Sequence, residues 1–186
     1  SPHEQMLLVD RLGLLRAAYF AAKQSLPDAL ESTAAAAVAG LHGVTMGDGG
    51  LSSWQGGNPG DPARIAALIE GCGLRARPLR QARGWGYHRL SALGTILVMD
   101  AAPPPPAKMA TGSASTLAFE LSDGAQRLVV NCGGPGALPH GLPDELVQAL
   151  RTTAAHSTLT LADTNSTAIL DDGSLGKGVT DVAIDR

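Results

Sequence analysis

The chain has 186 residues, with 14 lysines and arginines against 17 aspartates and glutamates and a formal charge of −3. That balance argues against a nucleic-acid binder, which at this size is normally basic. With 44% hydrophobic residues, but no unbroken apolar run of about 18, the chain can bury a core yet cannot insert into a membrane as a helix. Cys72 and Cys132 are too few for a disulfide framework and lack a paired metal-ligand spacing.

The first third reads as helix. Over residues 4–23, Leu7, Leu8, Leu12, Leu15, Ala18 and Tyr19 fall close to the i, i+3, i+4, i+7 spacing of one buried face. A second helix is predicted after Ser25, with Pro27 and Asp28 in its first turn, running through the alanine-rich stretch to Leu41, and a third starts at Asp61-Pro62. Between these two, residues 43–60 hold seven glycines and one Trp and cannot continue a helix, leaving a long loop that is either ordered or mobile.

After Gly84 the period shortens to two, the mark of sheet. Residues 87–93 and 95–100 read as neighbouring strands turned at Gly94, followed by an extended loop at prolines 103–106. Leu117, Phe119 and Leu121 alternate with Ala118, Glu120 and Ser122, and Asp123-Gly124 is a hairpin turn into a strand at 127–131. A short helix is predicted over 143–151, then strands near 156–161, 166–170 and 179–184. Helices first and antiparallel strands later make the chain α+β, divided into a helical region 1–82 and a strand region 83–186. A start without Met and an end inside an apparent strand suggest a fragment with an incomplete sheet.

Five segments together resemble the bacterial heparinase II/III-like polysaccharide lyases. They are Gly47-Asp48-Gly49-Gly50-Leu51 with Trp54-Gln55-Gly56, Gly86-Tyr87-His88-Arg89-Leu90, Leu117-Ala118-Phe119-Glu120-Leu121, Leu128-Val129-Val130-Asn131-Cys132-Gly133-Gly134-Pro135, and Arg151-Thr152-Thr153-Ala154-Ala155-His156-Ser157-Thr158-Leu159. The resemblance implies the end of an α/α toroid followed by the start of an antiparallel β-sandwich. It also implies a cleft between them that cleaves an acidic, uronate-containing polysaccharide by β-elimination, in the periplasm or cell envelope.

Such a reaction removes the proton α to the sugar carboxylate and expels the glycosidic oxygen, so a base and neutral donors must converge on one sugar. Residues in the toroid that the resemblance makes catalytic would precede residue 1. Within the chain, His156 is the catalytic candidate, because in an alternating strand it shares a polar face with Thr158 and Thr160; the other reading is a structural histidine. Asp48, Trp54, Gln55 and Asn131 are the candidate sugar-binding residues. Trp54 either stacks on a sugar ring or anchors its loop, and Asn131 is either a contact or a turn residue. Tyr87 is a possible cleft acid but reads better as packing.

In the family a zinc is held by two histidines and an aspartate, and the resemblance puts Ser113, Asn131 and His156 at those positions, with Thr111 in place of a further histidine. A hydroxyl, an amide and one imidazole make a poor zinc set, so no metal is expected. A hydrolase triad from His156, Ser157 and Asp163 is rejected because consecutive strand residues point to opposite faces and no G-x-S-x-G elbow is present. The run at 173–178 reads as a turn and not a phosphate loop, since Gly follows its Lys. The rival from another class is a non-catalytic carbohydrate-binding or cell-envelope protein on the same scaffold.

Overall fold

The computed structural model describes residues 1–105, 112–134 and 142–184. Helix α1 spans Pro2–Ala21 and starts where Ser1 Oγ accepts the Glu4 N–H at 3.2 Å. Helix α2 spans Asp28–Gly43, and α3 spans Pro62–Cys72 between the Asp61 cap, whose carboxylate accepts the Ala63 N–H at 2.9 Å, and Gly73 at φ 65°. The three bury Met6, Val9 and Leu12 against Ala34, Ala37, Val38, Leu41 and Ile65. Alanines on α2 let the helices approach closely enough for Gln5 Nε2 to reach the Ala37 carbonyl at 2.8 Å.

Four antiparallel strands follow in chain order: β1 Tyr87–Ala92, β2 Thr95–Asp100, β3 Phe119–Asp123 and β4 Gln126–Val129. Their register pairs Arg89 with Val98 and Val98 with Glu120, so one face carries Arg89, Val98, Glu120 and, by alternation, Ser122 and Asp100. This is the buried face. Leu97, Met99, Phe119 and Leu121 lie on the other, half-buried face, so the hydrophobic alternation of β3 is real but its polar side is the one turned inward.

What that polar face meets is the glycine-rich loop. Residues 50–57 are all buried, and the loop's backbone groups are paired within it and to its surroundings: Met46 N–H to the Gly50 carbonyl at 2.8 Å, Ser52 N–H to Val44 at 3.0 Å, and Gly134 N–H to Gly57 at 3.1 Å. The loop is therefore the ordered one of the two alternatives. Glycine is required at Gly47, where a Cβ would run into the Gly124 carbonyl of the β3–β4 turn.

Helix α4 Asp144–Ala149 and a 3₁₀ turn Thr153–Ala155 precede a small hairpin of β5 Thr167–Ile169 and β6 Leu175–Gly178. Three readings are corrected here: the run at 173–178, read as a turn, carries strand β6, because Leu175–Gly178 pairs with β5, and two predicted strands do not form. Residues 156–161 form no strand: the Thr158 N–H bonds the His156 carbonyl at 2.9 Å, the hydroxyls of Ser157 and Thr158 bond the distant Phe119 and Thr116 carbonyls, and Leu161 makes only an isolated bridge to Thr164. Residues 179–184 join no ladder. Pro106 of the predicted proline loop, and Thr111, lie outside the described residues.

Candidate functional site

The sheet's polar face builds two hydrogen-bonded networks against the loop. In the first, Glu120, with 0% of its surface exposed, accepts the Ser53 N–H at 2.8 Å and Asn131 Nδ2 at 3.2 Å on one oxygen, and Arg127 Nη1 at 2.8 Å on the other. The same guanidinium forks onto Asp48, Nε to Oδ2 and Nη2 to Oδ1, at 2.9 Å each. Burial raises the Glu120 carboxyl above its usual range, against the pull of the Ser53 N–H, Asn131 and Arg127, while Arg127 holds Asp48 low. Asn131 then passes the network on, its Oδ1 accepting the Ser157 N–H at 2.8 Å.

In the second network Gln55, at φ 52°, donates through Nε2 to Asp100 Oδ2 at 2.9 Å and Ser115 Oγ at 2.8 Å, while its Oε1 accepts the Ser113 N–H at 3.0 Å. Asp100 is buried, and desolvation raises its carboxyl to about 6, opposed by the Ser115 and Gln55 hydrogen bonds. Asp100, Gln55 and Tyr87 border a cavity of about 280 Å³ at the junction of α1 with the sheet, together with Glu4 and Trp85. Tyr87 packs between Trp54, with ring centroids 5.9 Å apart, and Trp85 at 5.4 Å edge-on, and burial holds its phenol above the ordinary range.

Trp54 is fully buried against Met46 and Val98, so of its two readings the loop anchor holds and the sugar-stacking one is corrected: a ring with no exposed surface cannot stack on a ligand. Gln55 and Asn131, each 8% exposed, and Asp48 direct their polar atoms to protein partners. The structure brings Asp48 and Asn131 into one network, places Gln55 in the other and leaves Trp54 in the core beside them. Residues 120 and 127 link the first network, and neither was singled out from the sequence; the available signal was two charged residues in otherwise apolar strands.

His156 is 7% exposed and lies next to Ser157, which bonds Asn131. Its Nδ1 lies 2.8 Å from the Thr152 carbonyl, an acceptor, so that nitrogen carries the proton, and Nε2 is left with a buried lone pair and no partner. Burial lowers its pKa, against the Thr152 contact, and so favours the neutral ring. Ser113 Oγ is likewise buried and unpartnered. Zinc does not fit Ser113, Asn131 and His156: the Asn131 amide is spent on Glu120 and Ser157, and what remains is a hydroxyl and one imidazole. Among the described residues no three of His, Cys, Asp and Glu gather as a metal cluster, and no helix is long and apolar enough to cross a membrane.

Residues 74–185 match the family model described as heparinase II/III-like, C-terminal. The chain is 31% identical over 134 residues to "FtsZ-localized protein C" of Caulobacter vibrioides (strain NA1000 / CB15N), covering 71% of this chain and 20% of that protein. The crystal structure of heparan sulfate lyase HepC from Pedobacter heparinus superposes with a TM-score of 0.66 at 17% identity, over 89% of this chain and 30% of that one. A mutant of the same lyase gives 0.64 at 16%, with the same coverage. The chain thus spans 20% to 30% of the length of these proteins, and the likeness to HepC shows the fold: helices followed by antiparallel sheets. With more than half its length matched, the chain belongs to the heparinase II/III-like family.

Proposed function

We propose that the chain is part of a polysaccharide lyase of the cell envelope or periplasm, one that cleaves an acidic, uronate-containing polysaccharide by β-elimination, with its helical and strand portions meeting at residues 82–83. The observation that carries this reading is His156: a neutral imidazole whose Nδ1–H is tied to the Thr152 carbonyl and whose Nε2 lone pair is unspent. A base that takes the proton α to a carboxylate needs that protonation state and that fixed tautomer. In this reading the junction cavity beside Tyr87 and Asp100 receives a sugar, and His156, which does not line that cavity, accepts the α-proton once its buried Nε2 is uncovered. The networks of Asp48, Gln55 and Asn131 hold the loop and sheet around it.

The second reading, a non-catalytic carbohydrate-binding or envelope protein on the same scaffold, is favoured by the donor set at Ser113, Asn131 and His156, which has lost the character of a metal site. The name of the Caulobacter relative also ties that protein to FtsZ and not to a sugar polymer.

The full-length protein is incubated with heparan sulfate, alginate and other uronate polymers while the ultraviolet absorbance of an unsaturated product is followed. A rise in absorbance that His156→Ala abolishes, with the fold intact by circular dichroism, supports the lyase. Binding without absorbance supports the second reading, and neither binding nor product overturns both.

A further inference from the structure

Five of the 14 basic residues, and none of the 17 acidic ones, lie between residues 71 and 99. A chain of net charge −3 thus concentrates positive charge in one segment. Four of the five, Arg75, Arg77, Arg80 and Arg83, sit on the connector between α3 and β1, and all four are exposed. The connector has two sides. Leu74 and Ala76 pack on the helical core, while the Leu79 N–H bonds the Ala39 carbonyl at 2.9 Å and the Arg80 carbonyl accepts the Arg89 N–H at 2.8 Å. The backbone is pinned to both helix and sheet, and the guanidiniums are left facing water.

Nothing in the described structure neutralises them. The ion pairs among the described residues join Arg16 to Glu31 and Arg127 to Asp48 and Glu120. Arg89 adds to the problem: it spends its Nη1 on the uncharged carbonyls of Gly43 and Thr45, and its charge is disfavoured first by burial and then by Arg80. Like charges crowded along a short pinned segment repel, and an anionic chain laid over them relieves that repulsion.

The row also leads somewhere. Arg83 borders a groove of about 500 Å³ that shares Gly84, Gly86, Tyr87, Ala102 and Pro103 with the junction cavity. Asp181 stands on the same groove, and Glu4 and Asp100 line the cavity beyond it. A ligand fitting both parts must bring anionic groups to the arginines and hydroxyl-rich, uncharged surface to the carboxylates. A polyphosphate backbone carries its charge on the linking groups themselves and meets repulsion at the inner end, whereas a uronate or sulfated sugar polymer carries hydroxyls beside each charge and can turn them to the carboxylates while its anionic groups face the arginines. The Cα atoms of consecutive arginines lie at most about 7 to 11 Å apart, and each guanidinium presents a planar fork that matches a carboxylate or sulfate.

We propose that Arg75, Arg77, Arg80 and Arg83 form a binding rail for an acidic polysaccharide chain, delivering it at Arg83 to the junction cavity. The assignment rests on the chain being directed at polysaccharide, but it does not require catalysis.

Binding of heparan sulfate and alginate oligosaccharides to the full-length protein is measured by fluorescence anisotropy over a range of salt. Replacing all four arginines by Gln is expected to weaken binding about tenfold or more and to flatten its salt dependence. Replacing Arg11 and Arg64, exposed on α1 and α3, by Gln should leave both unchanged. Side chains that touch no partner can be exchanged without unfolding, which circular dichroism verifies. Native affinity in the four-site variant overturns the rail, as does tighter binding of duplex DNA or phosphatidylserine vesicles than of either sugar polymer. Rail-dependent binding with no unsaturated product overturns the lyase reading and leaves the rail standing. Product formation at native kcat/KM by the four-site variant does the reverse.

Discussion

Glu120 sits in a strand between Phe119 and Leu121, without exposed surface, and is held by one guanidinium and three N–H groups of Ser53 and Asn131. Removing one partner of such a pair leaves an uncompensated charge in a medium that cannot solvate it. Arg127→Ala should therefore cost about 3 to 5 kcal/mol in urea denaturation. Asp48→Asn, on the half-exposed side of the same guanidinium, should cost only about 1 kcal/mol. Asp100 makes a pH-dependent contribution of known sign. Its carboxyl is raised from 3.8 to about 6, so the folded state binds more protons than the unfolded one between those values. The associated stability is complete below about pH 4 and lost as the pH rises through 6, a difference of about 3 kcal/mol. Asp100→Asn should remove that slope, visible as a difference between the denaturation midpoints of the two proteins that changes from pH 4 to pH 7.5. His156 has the opposite sign: its lowered pKa makes stability fall as the pH drops below the ordinary histidine value, and His156→Gln should blunt that loss.

At the scale of elements, the loop at residues 44–60 joins the molecule's two halves. It carries Trp54 into the contact with Tyr87, Val98 and Met46, and its Gly47 touches the β3–β4 turn. Trp54→Ala should lower stability by about 3 to 5 kcal/mol, and the folded fraction should bind sugar oligomers as the native protein does, since the ring has no surface to offer them. Gly47→Ala drives a methyl group into the Gly124 carbonyl and should cost about 1 to 3 kcal/mol, read as a lowered melting temperature. The extents of the helices, the β1–β2 pair and the β3–β4 hairpin were legible in the sequence, because periods and turn residues are local signals. The face that α1 buries was legible only in part: it is that of Met6, Val9 and Leu12, and Leu8 and Leu15 of the predicted face are exposed. The face of β3 that is buried was not. Alternation defines two sides, but Ser53, Arg127 and Asn131 decide that the polar one goes in, since they supply the donors that make a buried carboxylate tolerable.

For the molecule as a whole, the donor set at Ser113, Asn131 and His156 predicts a fold independent of metal: EDTA should leave the melting temperature unchanged, and added zinc should not raise it. The strand assigned to residues 156–161 failed because the Ser157 and Thr158 hydroxyls are bonded to the Phe119 and Thr116 carbonyls, 38 and 42 residues away in sequence, and no periodicity reports such distant partners. The sequence alone determined the order of helix and sheet, the positions of the helices and of β1 to β4, and the motif series that identifies the family. All of these are written in residues near one another or in a chain of short patterns. Only the tertiary structure decided that Trp54 anchors, that Asp48 and Asn131 are tied through Glu120 and Arg127, and that four arginines stand unneutralised on a pinned connector. Burial and charge compensation depend on partners dozens of residues away, and those become neighbours only when the chain has folded.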